Sequence, residues 1–259
     1  MKKLLLGILI VLAIGSVSFY VCKNPETNNN TEIENVKTQT VDSENKSHIS
    51  SVIQKIKKNP ALSNEIFSEY VKNLEEEVDD LNENLPSEIS AKTDISQIDS
   101  KLLDDYSLSG IDFACGEGSC YARVGHKYLY DLFNHVLTPE YNEYLLLIAE
   151  EDKKPYAKDG GIVVPFETIR KRLLRYECFI NIYPNFIHND DMKARAEMYY
   201  YAYKNGLDNT PVKCSQEEKA LNPKQTKDIS NSYAIYLKEA EDKDSEYYKE
   251  IENCYNKIK

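Results

Sequence analysis

The sequence predicts an all-α fold of irregular helical hairpins, and three observations carry that prediction. The first is a recurring stripe: Tyr141-x-x-Tyr144-Leu145, Tyr176-x-x-Phe179-Ile180 and Tyr233-x-x-Tyr236-Leu237, with Ile148, Tyr183 or Ala240 seven positions after each leading tyrosine. Positions i, i+3, i+4 and i+7 share one helix face, so one amphipathic design is used three times. The second is the run Phe67, Val71, Leu74, Val78, Leu81 and Leu85, whose steps alternate between four and three. It is too short for a long coiled coil and reads as a helix packed on its neighbours. The third is helix punctuation. Thr138-Pro139-Glu140 and Pro165 mark helix starts, and Gly206 suits the residue just past a helix end.

At the N-terminus, Met1-Lys2-Lys3 precedes an apolar run from Leu4. A short basic region before such a run is the pattern of an export signal, with Ser16-Val17-Ser18 supplying small residues for cleavage. The apolar stretch reaches Val21 and sits at the lower edge of what spans a bilayer, so an uncleaved anchor is the competing reading. Residues 1–21 are thus expected to be a signal peptide or N-terminal anchor. Cys22 adds a third option, a lipidated cysteine, although Phe19-Tyr20-Val21 before it are not the small residues such signals want. Residues 22–48 carry Asn28-Asn29-Asn30-Thr31 and almost no large apolar side chains, which predicts a disordered linker. Residues 49–259 are enough for one helical-repeat domain.

Within that domain, the stripe from Phe67 predicts a helix ended by Pro86, then loop and a short helix around Ile98, Leu102 and Leu103. Val124, Tyr128, Leu132 and Val136 predict another helix, and Pro139 opens the one carrying Tyr141, which runs to about Glu151. Asp159-Gly160-Gly161 is a turn, with Ile162-Val163-Val164 extended after it. Pro165 opens a helix with Ile169, Leu173, Tyr176 and Ile180 inward, and Pro184 closes it. Asn189 or Asp190 then caps a helix whose inner face is Met192, Ala196, Tyr199 and Tyr203. Ser230 to Ile258 predicts two helices, broken near Asp242 to Ser245.

The last two stripe-bearing segments look like copies of one unit. Tyr176 and Tyr199 are 23 residues apart and Tyr233 and Tyr255 are 22, each pair bridging two helices. Arg175-Tyr176-Glu177-Cys178-Phe179-Ile180-Asn181-Ile182-Tyr183-Pro184-Asn185 resembles the second helix of tetratricopeptide-like units in exported bacterial proteins, which often end on Tyr-Pro-Asn or Tyr-Pro-Asp. Gly206-Leu207-Asp208-Asn209-Thr210-Pro211 is also similar to an element that recurs in exported bacterial proteins. The likeness spans roughly 139–211. The first stripe spacing, 35 residues from Tyr141 to Tyr176, lies near the tetratricopeptide period of about 34, while the second, 57, does not. The resemblance implies irregular helical hairpins that bind other macromolecules.

The formal charge of −11 argues against nucleic acid and anionic membrane surfaces as partners. The membrane enters only through the N-terminal segment, if it is retained or lipidated at Cys22. Six cysteines in an exported chain favour disulfides, and Cys115-Gly116-Glu117-Gly118-Ser119-Cys120 is the best local candidate because its glycines allow a tight reversal. Pairing among the remaining cysteines, Cys178, Cys214 and Cys254 included, stays open.

Four histidines, His48, His126, His135 and His188, fall in no zinc or haem spacing. His188-Asn189-Asp190-Asp191 is explained by helix capping, and Glu75-Glu76-Glu77-Val78-Asp79-Asp80 by a solvated helix face. Nucleotide-binding glycine loops are absent, so the sequence calls for no cofactor and no metal. Tyr199-Tyr200-Tyr201-x-Tyr203 is the densest aromatic cluster. Tyr199 and Tyr203 fit the buried stripe; Tyr200 and Tyr201 point elsewhere and are the binding candidates, against packing on an adjacent helix.

The expected function is therefore a non-catalytic protein-binding or scaffold module, exported and periplasmic or cell-envelope associated, whose partner is another envelope protein. The alternative is an exported hydrolase of cell-wall or peptide substrates. It would use Cys120 or Cys115 with His126, and Glu117 as an orienting or general acid.

Overall fold

The computed structural model describes residues 43–212 and 223–259, with side chains from 48 to 212 and from 227 onward. The expected signal, the possible lipidation at Cys22, and Cys214 lie outside the described residues. Among the described residues, no helix is long and apolar enough to cross a membrane. Chain contacts divide them into two compact units, one ending at Val164 and the other Pro165–Lys259. Helix dominates both.

The first unit opens with α1 (Ser43–Lys58), so helix begins before the expected boundary at Ile49. After a short 3-10 turn comes α2 (Ser63–Glu83), which buries Phe67, Tyr70, Leu74 and Val78. Of the expected stripe, Phe67, Leu74 and Val78 are buried; Tyr70 replaces Val71 on the inner face, Leu81 is half-buried, and Leu85 lies beyond the helix end. Then follow α3 (Ser87–Ser90) and α4 (Ser100–Ser107), the latter capped by Asp99, which accepts from the Lys101 and Leu102 amides.

Two strands come next, β1 (Ile111–Gly116) and β2 (Ser119–Val124), paired antiparallel with Cys115 opposite Cys120. They add strand to a mostly helical chain, where the sequence suggests only a tight loop between Cys115 and Cys120. Ile111 and Phe113 on one strand and Cys120, Ala122 and Val124 on the other are buried, the period of two that a half-buried hairpin requires. Glu117 and Gly118 both have positive φ, 53° and 88°, which is the two-residue turn that matches strand twist.

Helix α5 (His126–Phe133) starts after the strand rather than at Val124, and buries Leu129 and Phe133. That is one residue out of phase with the expected Tyr128 and Leu132, because Val124 belongs to β2. α6 (Pro139–Lys153) buries Tyr141, Leu145 and Ile148 of the first stripe. Thr138 holds the N-cap position without a cap bond; its hydroxyl donates instead to Asn64 Oδ1 at 2.8 Å. The unit ends in β3 (Ala157–Lys158) and β4 (Gly161–Ile162), turned by Asp159 and Gly160 at φ 49° and 70°.

Its core is aromatic. The Phe67 ring lies 4.8 Å from Phe133 and 4.9 Å, edge-on, from Tyr141. Each such side chain contributes about 1.5–3 kcal/mol through burial, and edge-to-face pairing adds to it. The Tyr141 hydroxyl is not wasted, since it shares a 2.9 Å hydrogen bond with Ser68.

The second unit holds two helix pairs. α7 (Phe166–Ile182) and α8 (Asn189–Asn205) form the first, joined across Pro184, and α9 (Pro223–Glu239) and α10 (Glu246–Ile258) form the second. The inner face expected for α8 holds, with Met192, Ala196, Tyr199 and Tyr203 buried, and that of α7 holds at Ile169, Leu173 and Tyr176, while Ile180 is half-buried and Phe179 is buried beside it. The α8 N-cap position falls on His188 with no cap bond, while Asn189 donates its side-chain amide to the Pro184 carbonyl at 2.8 Å. Between the pairs lie β5 (Gly206–Leu207) and β6 (Thr210–Pro211).

Tyrosines fill this core. Tyr176 stacks on Tyr199 at 5.5 Å, and Tyr203 meets Tyr233 edge-on at 5.0 Å. Their polar ends are satisfied inside: Tyr203 bonds Ser232 at 2.8 Å, Tyr233 donates to the Tyr203 carbonyl at 2.9 Å, and Arg172 donates to the Tyr199 hydroxyl at 3.0 Å. Burying tyrosine is favourable only on that condition.

Candidate functional site

The second unit carries a cleft of about 230 Å³. One α7 face supplies Leu174, Glu177, Cys178, Ile180 and Asn181, α8 supplies Lys193 and Ala196, and the end of α9 supplies Glu239. The α9–α10 connection and the start of α10 close it with Glu241, Asp242, Ser245 and Tyr247. This connection is fixed by its own polar residues. Asp242 accepts from the Asp244 amide at 2.9 Å, and Ser245 caps α10 by accepting from the Tyr248 amide at 3.1 Å.

Buried Leu174, Cys178 and Ala196 line the cleft together with the half-buried Glu177 and the exposed Glu239, Glu241 and Asp242. Glu239 receives Arg170 at 2.6 Å, a guanidinium that is itself buried. Lys193 pairs with Asp190 of its own helix at 3.0 Å, both well exposed. Glu177 accepts hydrogen bonds from the Tyr236 hydroxyl at 2.9 and 3.1 Å. Burial pushes the Glu177 carboxyl up to about 7; the Tyr236 bond opposes that rise and the nearby Asp242 charge adds to it. Among the described residues, Glu177, Glu241 and Asp242 have no ion-pair partner. A carboxyl of perturbed pKa in a concave site marks a functional candidate.

Tyr200 adjoins this cleft through Tyr247, which lines it. Its ring stacks on Tyr247 at 4.2 Å and 11°, and its hydroxyl donates to Glu250, which also pairs with Lys204. Tyr201 is 59% exposed on the other side of α8, next to the exposed Met198. The two expected binding residues therefore face different surroundings. Tyr200 packs on a lining residue of the cleft, and Tyr201 faces solvent.

In the first unit, Cys115 and Cys120 are joined as a disulfide across β1 and β2. A thiolate at either position is thereby removed, and the expected partner His126 is engaged elsewhere. Its Nδ1 lies 2.7 Å from Asp152 Oδ2. Arg123 donates to Asp152 Oδ1 at 3.1 Å and to Asp112 Oδ2 at 2.7 Å, so a chain of four side chains ties the hairpin to α5 and α6. Glu117 sits at the hairpin turn, its amide donating to Asp159 Oδ1 at 3.4 Å. Cys178 and Cys254, in the second unit, are each disulfide-bonded as well. Among the described residues, no three His, Cys, Asp or Glu side chains come together in a group that could hold a metal ion.

Sequence reasoning did not find the cleft. Glu177 lies between Tyr176 and Cys178, both buried, and its partner Tyr236 is 59 positions away. The available signal was Glu241-Asp242 in the helix break, an acidic pair at a concave corner. No protein-family model, no curated protein and no solved structure matches the chain.

Proposed function

We infer that this chain is an exported, non-catalytic binding module of a bacterial cell envelope, and that its partner, another envelope protein, docks at the cleft of the second unit. The cleft carries the reading: it is a concave site lined by apolar side chains, by carboxylates and by Tyr247, on which Tyr200 stacks. Its volume lies below the roughly 300–1,000 Å³ of pockets that enclose a drug-sized ligand, which suits a side chain of a larger partner better than a free metabolite. Paired aromatics and carboxylates at a rim are what protein interfaces use for anchoring and orientation.

The two helix pairs of this unit also support the irregular, tetratricopeptide-like repeat reading. Each pair leads with a fully buried stripe tyrosine, Tyr176 or Tyr233, and α9 packs on α7. Stacked hairpins of this kind build extended binding surfaces.

A photo-cross-linking residue placed at exposed Glu241 in the producing cell tests the docking site. One envelope protein should be captured from Glu241 and not from Glu76 on the solvated face of α2. Equal capture from both positions, or none from Glu241, overturns the site.

A further inference from the structure

The cleft's electrostatics say more than that something docks there. Three of its carboxylates, Glu177, Glu241 and Asp242, carry no cation among the described residues, while Glu239 already holds Arg170. Lys193, on the same lining, is turned to Asp190. The lining also holds aliphatic and aromatic groups: Leu174, Ile180, Ala196 and the Tyr247 ring. A ligand that matches this site has an apolar stem and one positive end.

We propose that the cleft receives a single lysine or arginine side chain of the partner, its methylene stem on Leu174, Ile180 and Tyr247 and its cation beside Glu177 and Asp242. The proposal rests on the docking reading above and deepens it. A long cationic side chain entering from a partner lays its methylene stem along apolar surface and carries its charge to the inner end, and the half-buried Glu177 is more enclosed than the exposed Glu239, Glu241 and Asp242. The cation would also lie near the Tyr247 ring, on which Tyr200 stacks at 4.2 Å. Glu177 supplies an independent sign. Burial lifts its carboxyl, and Asp242 raises it further, so the site as it stands lacks the positive charge that would hold Glu177 ionised. An incoming ammonium or guanidinium supplies that charge and forms charge-assisted hydrogen bonds to a carboxylate that otherwise accepts only from Tyr236. The cavity of about 230 Å³ has room for one such side chain.

The probes are N-acetyl-lysine N-methylamide and its arginine counterpart, with N-acetyl-norleucine N-methylamide as the uncharged control. Amide chemical shifts of the full chain are followed as each is titrated. The cationic probes should shift Glu177, Asn181 and Tyr247 saturably, and the norleucine probe should bind at least about tenfold more weakly. Glu177→Gln and Asp242→Asn should each weaken the cationic probes, and Lys193→Ala should tighten them by removing a competing cation. Asp242→Asn keeps the oxygen that accepts from the Asp244 amide, so it guards against a folding defect at Glu177. Equal binding of norleucine and lysine probes, or no saturable shift at these amides, overturns the cationic assignment. If cross-linking from Glu241 still captures one envelope protein in that case, the docking reading stands alone; if both fail, the cleft is not the site.

Discussion

The Tyr236 hydroxyl donates to both oxygens of the Glu177 carboxylate, at 2.9 and 3.1 Å, and so links α9 to α7 across 59 positions of sequence. The bond stabilises a carboxylate that burial disfavours, and burial wins: the group titrates at about 7. Between the ordinary glutamate value of 4.5 and about 7, the folded protein keeps a proton that the unfolded chain has lost. Folding stability therefore falls as pH rises through that window and levels off above it. The loss should amount to at most about 3 kcal/mol. Glu177→Gln, which cannot ionise, should flatten this slope in denaturation midpoints measured from pH 4.5 to pH 8. An unchanged slope would place the titration elsewhere.

Asn82 pairs with Ala122 as a neighbouring strand would. Its side-chain amide donates to the Ala122 carbonyl at 2.9 Å, and its Oδ1 accepts the Ala122 amide at 2.7 Å. One helical residue thus satisfies both polar groups at the β2 edge and fixes α2 against the hairpin. Asn82→Ala should cost about 1–3 kcal/mol in urea denaturation, because both backbone groups lose their partners. Asn82→Asp keeps the acceptor and should cost less. Equal, negligible costs would mean that water replaces the side chain freely.

How far the sequence foretold this architecture depends on how local each cause was. Pro139, Pro165, Pro184 and Gly206 act on their own backbone, and the helix bounds around them followed from those residues alone. Tyr176 and Tyr233 were legible because helical periodicity is written within seven residues. The β1–β2 hairpin was not read because its buried positions include small residues, Cys120 and Ala122, and its turn is Glu117-Gly118 rather than Asn-Gly or Asp-Gly. Missing that hairpin put α5 out of phase. The cleft was illegible for a different reason. It is assembled from three separated segments, and Glu177 takes its character from burial and from Asp242, neither of which leaves a pattern along the chain.

Gly206 marks the most exacting backbone position in the second unit. Its φ of 72° and ψ of −160° lie in a region open essentially to glycine alone, an extended conformation rather than the left-handed helical one its place after α8 suggested. A Cβ there would stand 2.1 Å from the Thr210 carbonyl oxygen and 2.5 Å from the Val212 amide nitrogen. Both obstacles are backbone and cannot swing aside. Gly206→Ala should cost about 2–4 kcal/mol in stability and open the β5–β6 turn. Hydrogen exchange should show the loss first at the Val212 amide, which bonds the Asn205 carbonyl at 2.8 Å.

The Cys115–Cys120 bridge closes a loop too short to restrict the unfolded chain greatly. Loop entropy predicts about 2 kcal/mol, below the roughly 3 kcal/mol of a 15-residue loop. The turn conformation and the Asn82 anchor remain without it. Replacing both cysteines by serine should leave helicity, read by circular dichroism, nearly unchanged and raise protease sensitivity around Phe113–Tyr121. Failure to fold would show that the hairpin's strand pairing depends on the bridge.

Tyr200 and Tyr201, adjacent in sequence, should respond in opposite ways to the same substitution. Tyr201 is 59% exposed, so Tyr201→Ala should change stability by less than about 0.5 kcal/mol, as surface substitutions do. Tyr200 loses more: its stacking on Tyr247 and its bond to Glu250 both go, which should cost about 1–3 kcal/mol. Tyr200→Phe separates these terms, because it keeps the stacked ring and removes only the hydroxyl. If Tyr200 acts on the cleft by holding Tyr247 in place, Tyr200→Phe should leave lysine-probe binding intact and Tyr200→Ala should weaken it. Loss of partner capture in Tyr201→Ala with normal probe binding would instead assign Tyr201 a second contact, outside the cleft and beside Met198. Retention of both readouts in every variant would reduce the pair to packing, and Tyr247 would then be held by α10 alone.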